Sequence, residues 1–295
     1  MLHSVKDLED CSVAATDGIV GQVKDLYFDD ASWVVRYLIV DTGDWLSQRR
    51  VLVSPIAIDS PNWADKVLPV SLTRNQVQNS PDIDTDKPVS RQHERRYLGY
   101  YRYPYYWGGG GLWGASLYPN LMLSTPGYGG SDAEYRRARA QNARADAEAD
   151  ADRHQSDDPH LRSGNAIMRY HVHATDGDIG HIGGILIDED TWAIRYLIVN
   201  TSNWWLGHEV IIAPTWIDNF EWVNSKVVIG LSRQTVKDSP PYTSIAALNR
   251  EAEMRTHIHY RKMGYWQHES RYDTEAAAQR THSSAPMSID KIARP

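Results

Sequence analysis

Apolar residues in this chain fall into short, dense runs separated by turn residues. "IVGQVKDLYFD", "WVVRYLIVD", "RRVLVSP" and "DKVLPVSL" follow one another near the start, each bounded by Asp, Gly, Ser, Asn or Pro. Runs of this length, dense in β-branched and aromatic residues, predict strands. The same order returns later as "IGHIGGILID", "WAIRYLIVN", "HEVIIAP" and "SKVVIGL". Short strands with close turns predict a small antiparallel barrel in each half. Glycines inside the first strand of each set predict a bulge or a close backbone approach. "TRNQVQNSP" and "SRQTVKDSP" predict short helices stopped by proline. "TSIAALNREAEMRTHIHYRKM" predicts a longer helix, with Ile245, Leu248, Ala252 and Met254 turned toward the barrel.

The two sets are copies. Thr16-Asp17-Gly18 aligns with Thr175-Asp176-Gly177, an offset of 159 residues. The same offset pairs Trp33 with Trp192, Arg36-Tyr37 with Arg195-Tyr196, Trp45 with Trp204, Pro55 with Pro214 and Trp63 with Trp222. It also joins Glu94 to Glu253 and Tyr106-Trp107 to Tyr265-Trp266. Two domains are therefore expected, at 4–107 and 163–266. Residues 108–162 change composition. A Gly and aromatic stretch reads as loop, and an Ala-rich stretch of mixed charge reads as a solvated helix or flexible linker. The polar residues 267–295 read as a disordered tail. The fold class expected is mainly β with flanking helices (α+β), built of two tandem small barrels, each followed by a helix.

Composition narrows the function. The formal net charge is −7, which argues against a general nucleic-acid binder. Arg136, Arg137, Arg139 and Arg144 make a local basic group, but Asp and Glu follow closely. Cys11 is the only cysteine, so neither an intramolecular disulfide nor a cysteine-built zinc site is expected. No apolar run reaches the length of a membrane span or a signal peptide, and the location expected is cytoplasmic.

Candidate chemistry is sparse. Arg36 and Arg195 each stand inside an apolar strand, where alternation puts Tyr37 and Tyr196 on the opposite face. Such a guanidinium lies over an aromatic ring, pairs with a carboxylate such as Asp29 or Asp188, or serves as a binding determinant. His171, His173, His181, His257, His259 and His268 raise a metal site. Against it, the first copy has Ser12, Ala14, Leu98 and Tyr100 opposite His171, His173, His257 and His259, and no carboxylate completes a ligand set. The pairs Asp29-Asp30 and Asp188-Glu189 fit turn geometry better than acid–base work. No nucleophile elbow, Walker loop or dinucleotide fingerprint occurs. Neither catalysis nor a cofactor nor a metal is expected. The matched tryptophans suit core packing or an interface, whereas Trp205 and Trp216 occur only in the second copy and are the better partner candidates. Arg36, Arg195, Trp205 and Trp216 are therefore the candidate interaction residues.

The order "DG…G…D…W.VRYLIVDTG.WL…VLVSP", with its second version "DG.IG…D…W.IRYLIVNTS.WW…VIIAP", resembles the PRC-barrel family. That family includes the cytoplasmic domain of the photosynthetic reaction-centre H subunit and the C-terminal domain of a ribosome-maturation factor. The resemblance spans both copies and implies adaptor or assembly roles. The function expected is a non-catalytic binding or assembly protein with a protein partner. Pairing between the two barrels, or a homo-oligomer, is also expected. Two alternatives are association with a reaction centre or electron-transfer complex, and association with ribosomes or RNA. Contact with a membrane would be peripheral, through a partner.

Overall fold

A computed structural model of the chain describes residues 1–9, 11–81, 89, 91–107, 111–114, 116–122, 161–201 and 208–270. The charged linker with Arg136, Arg137, Arg139 and Arg144, the tail beyond residue 270, Trp204 and the candidate Trp205 lie outside the described residues.

The first copy contributes strands β1 (Leu2–Ser4), β2 (Ser12–Ala15), β3 (Gly18–Asp29), β4 (Val34–Asp41), β5 (Arg50–Val53) and β6 (Val67–Pro69). The second contributes β7 (Leu161–Ser163), β8 (His171–Ala174), β9 (Gly177–Asp188), β10 (Ile194–Asn200), β11 (Glu209–Ile212), β12 (Ile217–Glu221) and β13 (Lys226–Ile229). Helices are α1 (Val5–Leu8), α2 (Arg74–Gln78), α3 (Arg91–Tyr101), α4 (Gly164–Ile167), α5 (Arg233–Lys237) and α6 (Arg250–His259). Residues 265–270 add a further helical turn or two. The architecture is mainly β with few helices.

Two sheets form, in the orders β5-β4-β3-β2-β6 and β11-β10-β9-β8-β13-β12. As strand ladders both orders are open; the chain leaving β5 bridges Val70, just past β6, at Ile58, and β12, which follows β11, pairs with β13. The sheets are not wholly antiparallel. Strand β6 runs parallel to β2, and β13 parallel to β8, because each returns through a long excursion rather than a hairpin. Gly21 and Gly180 are the close approach predicted from the sequence. A Cβ would lie 2.0 Å from the Asp41 carbonyl oxygen at the first and 1.9 Å from that of Asn200 at the second. Thr73 closes a capping box with Gln76 at α2, and Asp17 and Asp176 accept the first backbone N–H of α2 and α5.

The sheets exchange their first strands. β1 pairs antiparallel with β9, setting Leu2 against Asp188, and β7 pairs with β3, setting Leu161 against Asp29. These pairs are related by the repeat offset, so the exchange is reciprocal. At the centre Val34 bridges Ala193, its own counterpart. The Val35 N–H donates to the Trp192 carbonyl (2.8 Å), and the Ile194 N–H to that of Trp33 (2.7 Å). A pseudo-twofold axis therefore passes between Val34 and Ala193. Trp33 and Trp192 hold left-handed backbone there, with φ of 55° and 59°. For a bulky residue that conformation costs about 1–2 kcal/mol, and it is sustained by the two reciprocal bonds. One apolar core runs through both sheets, from Leu8, Val13 and Tyr37 to Ile182, Tyr196 and Val236.

The longer helix is shorter than predicted, and its buried face is polar. Helix α6 buries Glu253, Thr256 and His257. Met254 is 41% exposed and Ile258 75%. Ile245 and Leu248 do pack on the core, from the turn before the helix.

Candidate functional site

The arginine in the middle strand is placed by a bulge. In β4, Tyr37 lies opposite Tyr27 and Val35 opposite Phe28, so Arg36 has no partner residue across the ladder. In β10 the register slips in the same way at Arg195, between Ile194 opposite Ile187 and Tyr196 opposite Leu186. A bulge re-aims a side chain, so strict alternation does not hold here. Arg36 and Tyr37 both reach Tyr106. The guanidinium carbon sits 3.9 Å from the Tyr106 ring centre. Tyr37 meets it through Glu94, whose Oε1 accepts from both the Tyr37 hydroxyl (3.3 Å) and the Tyr106 hydroxyl.

Around Arg36 the remaining bonds are to the Leu112 carbonyl (2.7 Å) and the Ser32 hydroxyl (3.0 Å), with Asp29 at 3.6 Å. Trp113 covers the site, 4.7 Å from ring centre to guanidinium, and its indole N–H donates to the Thr191 carbonyl across the seam (2.8 Å). Arg36 is 2% exposed, and burial pulls its pKa below the usual guanidinium range. Burial, and then the charge of Glu94, push Tyr37 well above the usual phenol value.

Arg195 repeats the arrangement with a different cover. It lies 4.0 Å over Tyr265, donates to the Thr191 hydroxyl (2.8 Å) and pairs with Glu269, with Asp188 at 4.0 Å. Glu253 Oε1 accepts from Tyr196 (3.1 Å) and Tyr265 (3.0 Å), while Oε2 takes Arg250 at 2.8 Å. Burial raises the Glu253 pKa against the pull of Arg250.

Arg36 and Arg195 thus lie buried over an aromatic ring and near Asp29 and Asp188, the ring and carboxylate arrangement open to them from the sequence. The candidate Trp216 is buried as well. It is 3% exposed and packs on His257 and Tyr260, with ring centres 4.9 Å away in each case. Its counterpart in the first copy is Ala57.

The exchanged strands carry a second pair of matched sites. His3 stacks on Trp63 (centroids 3.7 Å) and meets Glu189 of the other copy at 3.0 Å, where the Trp63 indole also donates (2.7 Å). At the offset positions, Arg162 lies 4.2 Å over Trp222 and bonds Asp30 at 2.9 Å. Each site joins a nitrogen-bearing side chain and a tryptophan of one copy to a carboxylate of the other. Burial opposes ionisation of Glu189. Bonds from the N-terminal ammonium and His3 outweigh it, and its pKa lies below the usual carboxylate value. Asp29 and Asp188 do the turn work expected of them, accepting backbone N–H groups of Ala31 and Ser32 and of Asp190 and Thr191.

The histidines converge only in part: His171 lies opposite His181 across the β8–β9 ladder, beside the His173 and Asp178 pair. His173 pairs with Asp178 (2.6 Å), His259 with the Thr235 carbonyl (2.8 Å), and His257 is buried against Tyr196. Among the described residues no group of three or more His, Cys, Asp or Glu could hold a metal ion. No described helix is long and apolar enough to cross a membrane.

An open cleft of about 520 Å³ lies on the seam beside Glu189. Pro55, Ile58, Tyr118, Leu121 and Trp192 give it apolar walls, and Asp59, Glu189 and Asp190 give it negative charge. On the other side of the pseudo-twofold axis, Phe220 occupies the place held here by Pro61 and packs on Trp33 and Trp222 (5.6 and 4.0 Å). The sequence carried this difference as Pro61 against Phe220, but nothing in it marks the two as lying on a seam.

Residues 2–69 match the family model of the PRC-barrel domain, a stretch that runs from β1 through β6. No curated protein matches the chain.

Proposed function

We propose that this chain, whose residues 2–69 match the PRC-barrel domain, is a binding and assembly protein without chemistry of its own. Its seam cleft would take a basic segment of a protein partner. The observation that carries this reading is the cleft itself, with aromatic and proline walls beside three carboxylates, on a platform built by strand exchange. Aromatic walls supply contact area at low entropic cost. Glu189 already holds the N-terminal ammonium and His3, and Asp190 lies 3.7 Å from that ammonium, so Asp59 and the exposed side of Asp190 are what favour a partner of opposite sign. The strand exchange holds the two walls in one geometry, which limits the ordering cost of binding.

The test is a pull-down with tagged full-length protein from membrane, ribosomal and soluble fractions of the host, run beside Asp59→Lys/Asp190→Lys. Both positions are exposed. The reading expects a protein recovered by the wild type, weakened by salt and lost with the charge reversal. A partner held equally by the variant, or none in any fraction, overturns it. The fraction in which the partner appears distinguishes a membrane complex or a ribosome from a soluble assembly.

A further inference from the structure

The two copies differ at one more place, and the first serves as a template for what the second lacks. In the first copy, Tyr97 of α3 reaches the edge of β5. Its hydroxyl donates to the Leu52 carbonyl (3.1 Å) and accepts from the Ser54 N–H (3.0 Å). The phenol thus satisfies two backbone groups that face away from the sheet.

The counterpart of Tyr97 is Thr256, and those of Leu52 and Ser54 are Ile211 and Ala213. Thr256 is too short to reach them, and its hydroxyl donates to Ala252 in its own helix (3.1 Å). Trp216 takes over the packing that Tyr97 has on Tyr101, lying 4.9 Å from Tyr260 where Tyr97 lies 4.8 Å from Tyr101. The indole does not form part of the cleft wall. Between Thr256 and Ile211 there remains a cleft of about 320 Å³, walled by Tyr242, Ala247, Leu248 and Ala252. The edge of β11 faces it. The Tyr242 N–H already bonds the Glu209 carbonyl from that side (2.7 Å), and Ile211, two residues on, presents its backbone the same way. Among the described residues no side chain bonds Ile211 or Ala213 as Tyr97 bonds Leu52 and Ser54.

We propose that this cleft binds a phenol ring, supplied as a tyrosine side chain by a protein partner, with its hydroxyl on the Ile211 carbonyl and the Ala213 N–H. The choice of a protein source rests on the reading of the chain as a binding module; the pocket chemistry does not. A phenol suits the site because it alone combines a flat apolar body with a group that donates and accepts at one atom. The segment that starts with Tyr242 already pairs with Glu209, so a whole added strand is blocked and a single side chain is what the space admits.

The probe is N-acetyl-tyrosinamide, titrated into the isotope-labelled full chain by NMR beside N-acetyl-phenylalaninamide and p-cresol. The tyrosine amide should shift the Ile211 and Ala213 amides. The phenylalanine amide should bind roughly five- to tenfold more weakly, the worth of one net hydrogen bond. Thr256→Tyr should fill the cleft from within, abolish the shifts and raise Tm. Ala247→Trp, at an exposed wall position, should block binding without touching the core. Equal binding of the phenylalanine amide overturns the proposal, as do shifts confined to other residues or unchanged binding by either folded variant. Tighter binding of p-cresol than of the tyrosine amide overturns the protein source in favour of a free phenol. The measurement uses purified protein, so it fails or succeeds independently of the seam cleft and its partner.

Discussion

The two buried arginines share a strand position, a bulge, an aromatic platform and a neighbouring carboxylate, yet they are closed off differently. Arg36 is covered by Trp113 and a carbonyl oxygen, groups without charge, and one of them is tied to the other copy. Arg195 is covered by Glu269, from a helical turn of its own copy. A buried charge must be matched by dipoles, rings and ions within reach. The comparison teaches that the bulge and the tyrosine are the fixed parts of the device, and that the cover is free to change. It also makes the first site the more interdependent: the cover of Arg36 is part of the seam.

The largest expected effect breaks that comparison directly. Arg36→Ala leaves Asp29 and Glu94 without their cation in a dry site and should cost about 3–5 kcal/mol in urea unfolding. Arg195→Ala, at 8% exposure, should cost less, about 1.5–3 kcal/mol, the range for hydrogen bonds to charged groups. Equal losses would show that the two covers are equivalent. Next is Trp113→Phe, which keeps an aromatic cover but removes the bond to Thr191. A loss of about 1–2 kcal/mol is expected. A double mutant with Thr191→Pro is unsuitable, so the seam is best read by hydrogen exchange at Val35 and Ile194, which should quicken in Trp113→Phe and stay protected in Arg195→Ala.

The matched fasteners on the exchanged strands sharpen the same point at smaller scale. Arg162→Ala removes a permanent cation from Trp222 and Asp30 and should cost about 1–2 kcal/mol. His3→Ala should cost less than Arg162→Ala, since a stacked imidazole carries a full charge only when protonated. Denaturant midpoints of the two single variants decide the order, and a larger loss for His3→Ala would reverse it.

Legibility followed the range of the cause. The strands of both copies could be read because β-branched runs and turn residues act locally, and the glycine contacts at Gly21 and Gly180 were predictable from glycine inside a strand. The exchange was not legible. Leu2-His3-Ser4 and Leu161-Arg162-Ser163 are three residues long, and their partners Asp188 and Asp29 lie in the other copy. Alternation predicted Arg36 and Tyr37 on opposite faces, but a bulge intervenes at Arg36 and both side chains reach Tyr106, Tyr37 through Glu94. Helix α6 was misread for a related reason. Amphipathic reading turns Met254 inward and leaves Glu253 out of the buried face, while Tyr196, Tyr265 and Arg250 hold Glu253 inside. Trp216 is a partner candidate in the sequence because it is unmatched, and the sequence does not show that His257 and Tyr260 come together to pack on it.

The smallest effect concerns His257, whose counterpart is Leu98, fully buried in the first copy. His257 Nδ1 lies 3.0 Å from the Met263 carbonyl and Nε2 2.8 Å from the Tyr196 hydroxyl, with Trp216 and Trp266 on its ring. Burial lowers its pKa below the ordinary imidazole value. The unfolded chain therefore takes up this proton first as pH falls. The contribution of His257 to stability is complete above about pH 6.5 and is lost below it, as pH descends toward the folded pKa. Glu253, two bonds away through Tyr196, has the opposite sign. Its pKa is raised by burial, so its contribution is full below about pH 4.5 and is lost as pH rises through the folded value. Between these limits the two oppose each other, and a single pH profile of the wild type would show little. The difference between wild type and His257→Leu isolates the imidazole, because every other group titrates in both proteins. That difference should be flat above about pH 6.5 and should swing toward the variant as pH falls to 5. A difference that stays flat throughout would mean that the imidazole is as free to take a proton in the folded chain as in the unfolded one, and that the second copy carries no titratable counterpart to the inert Leu98.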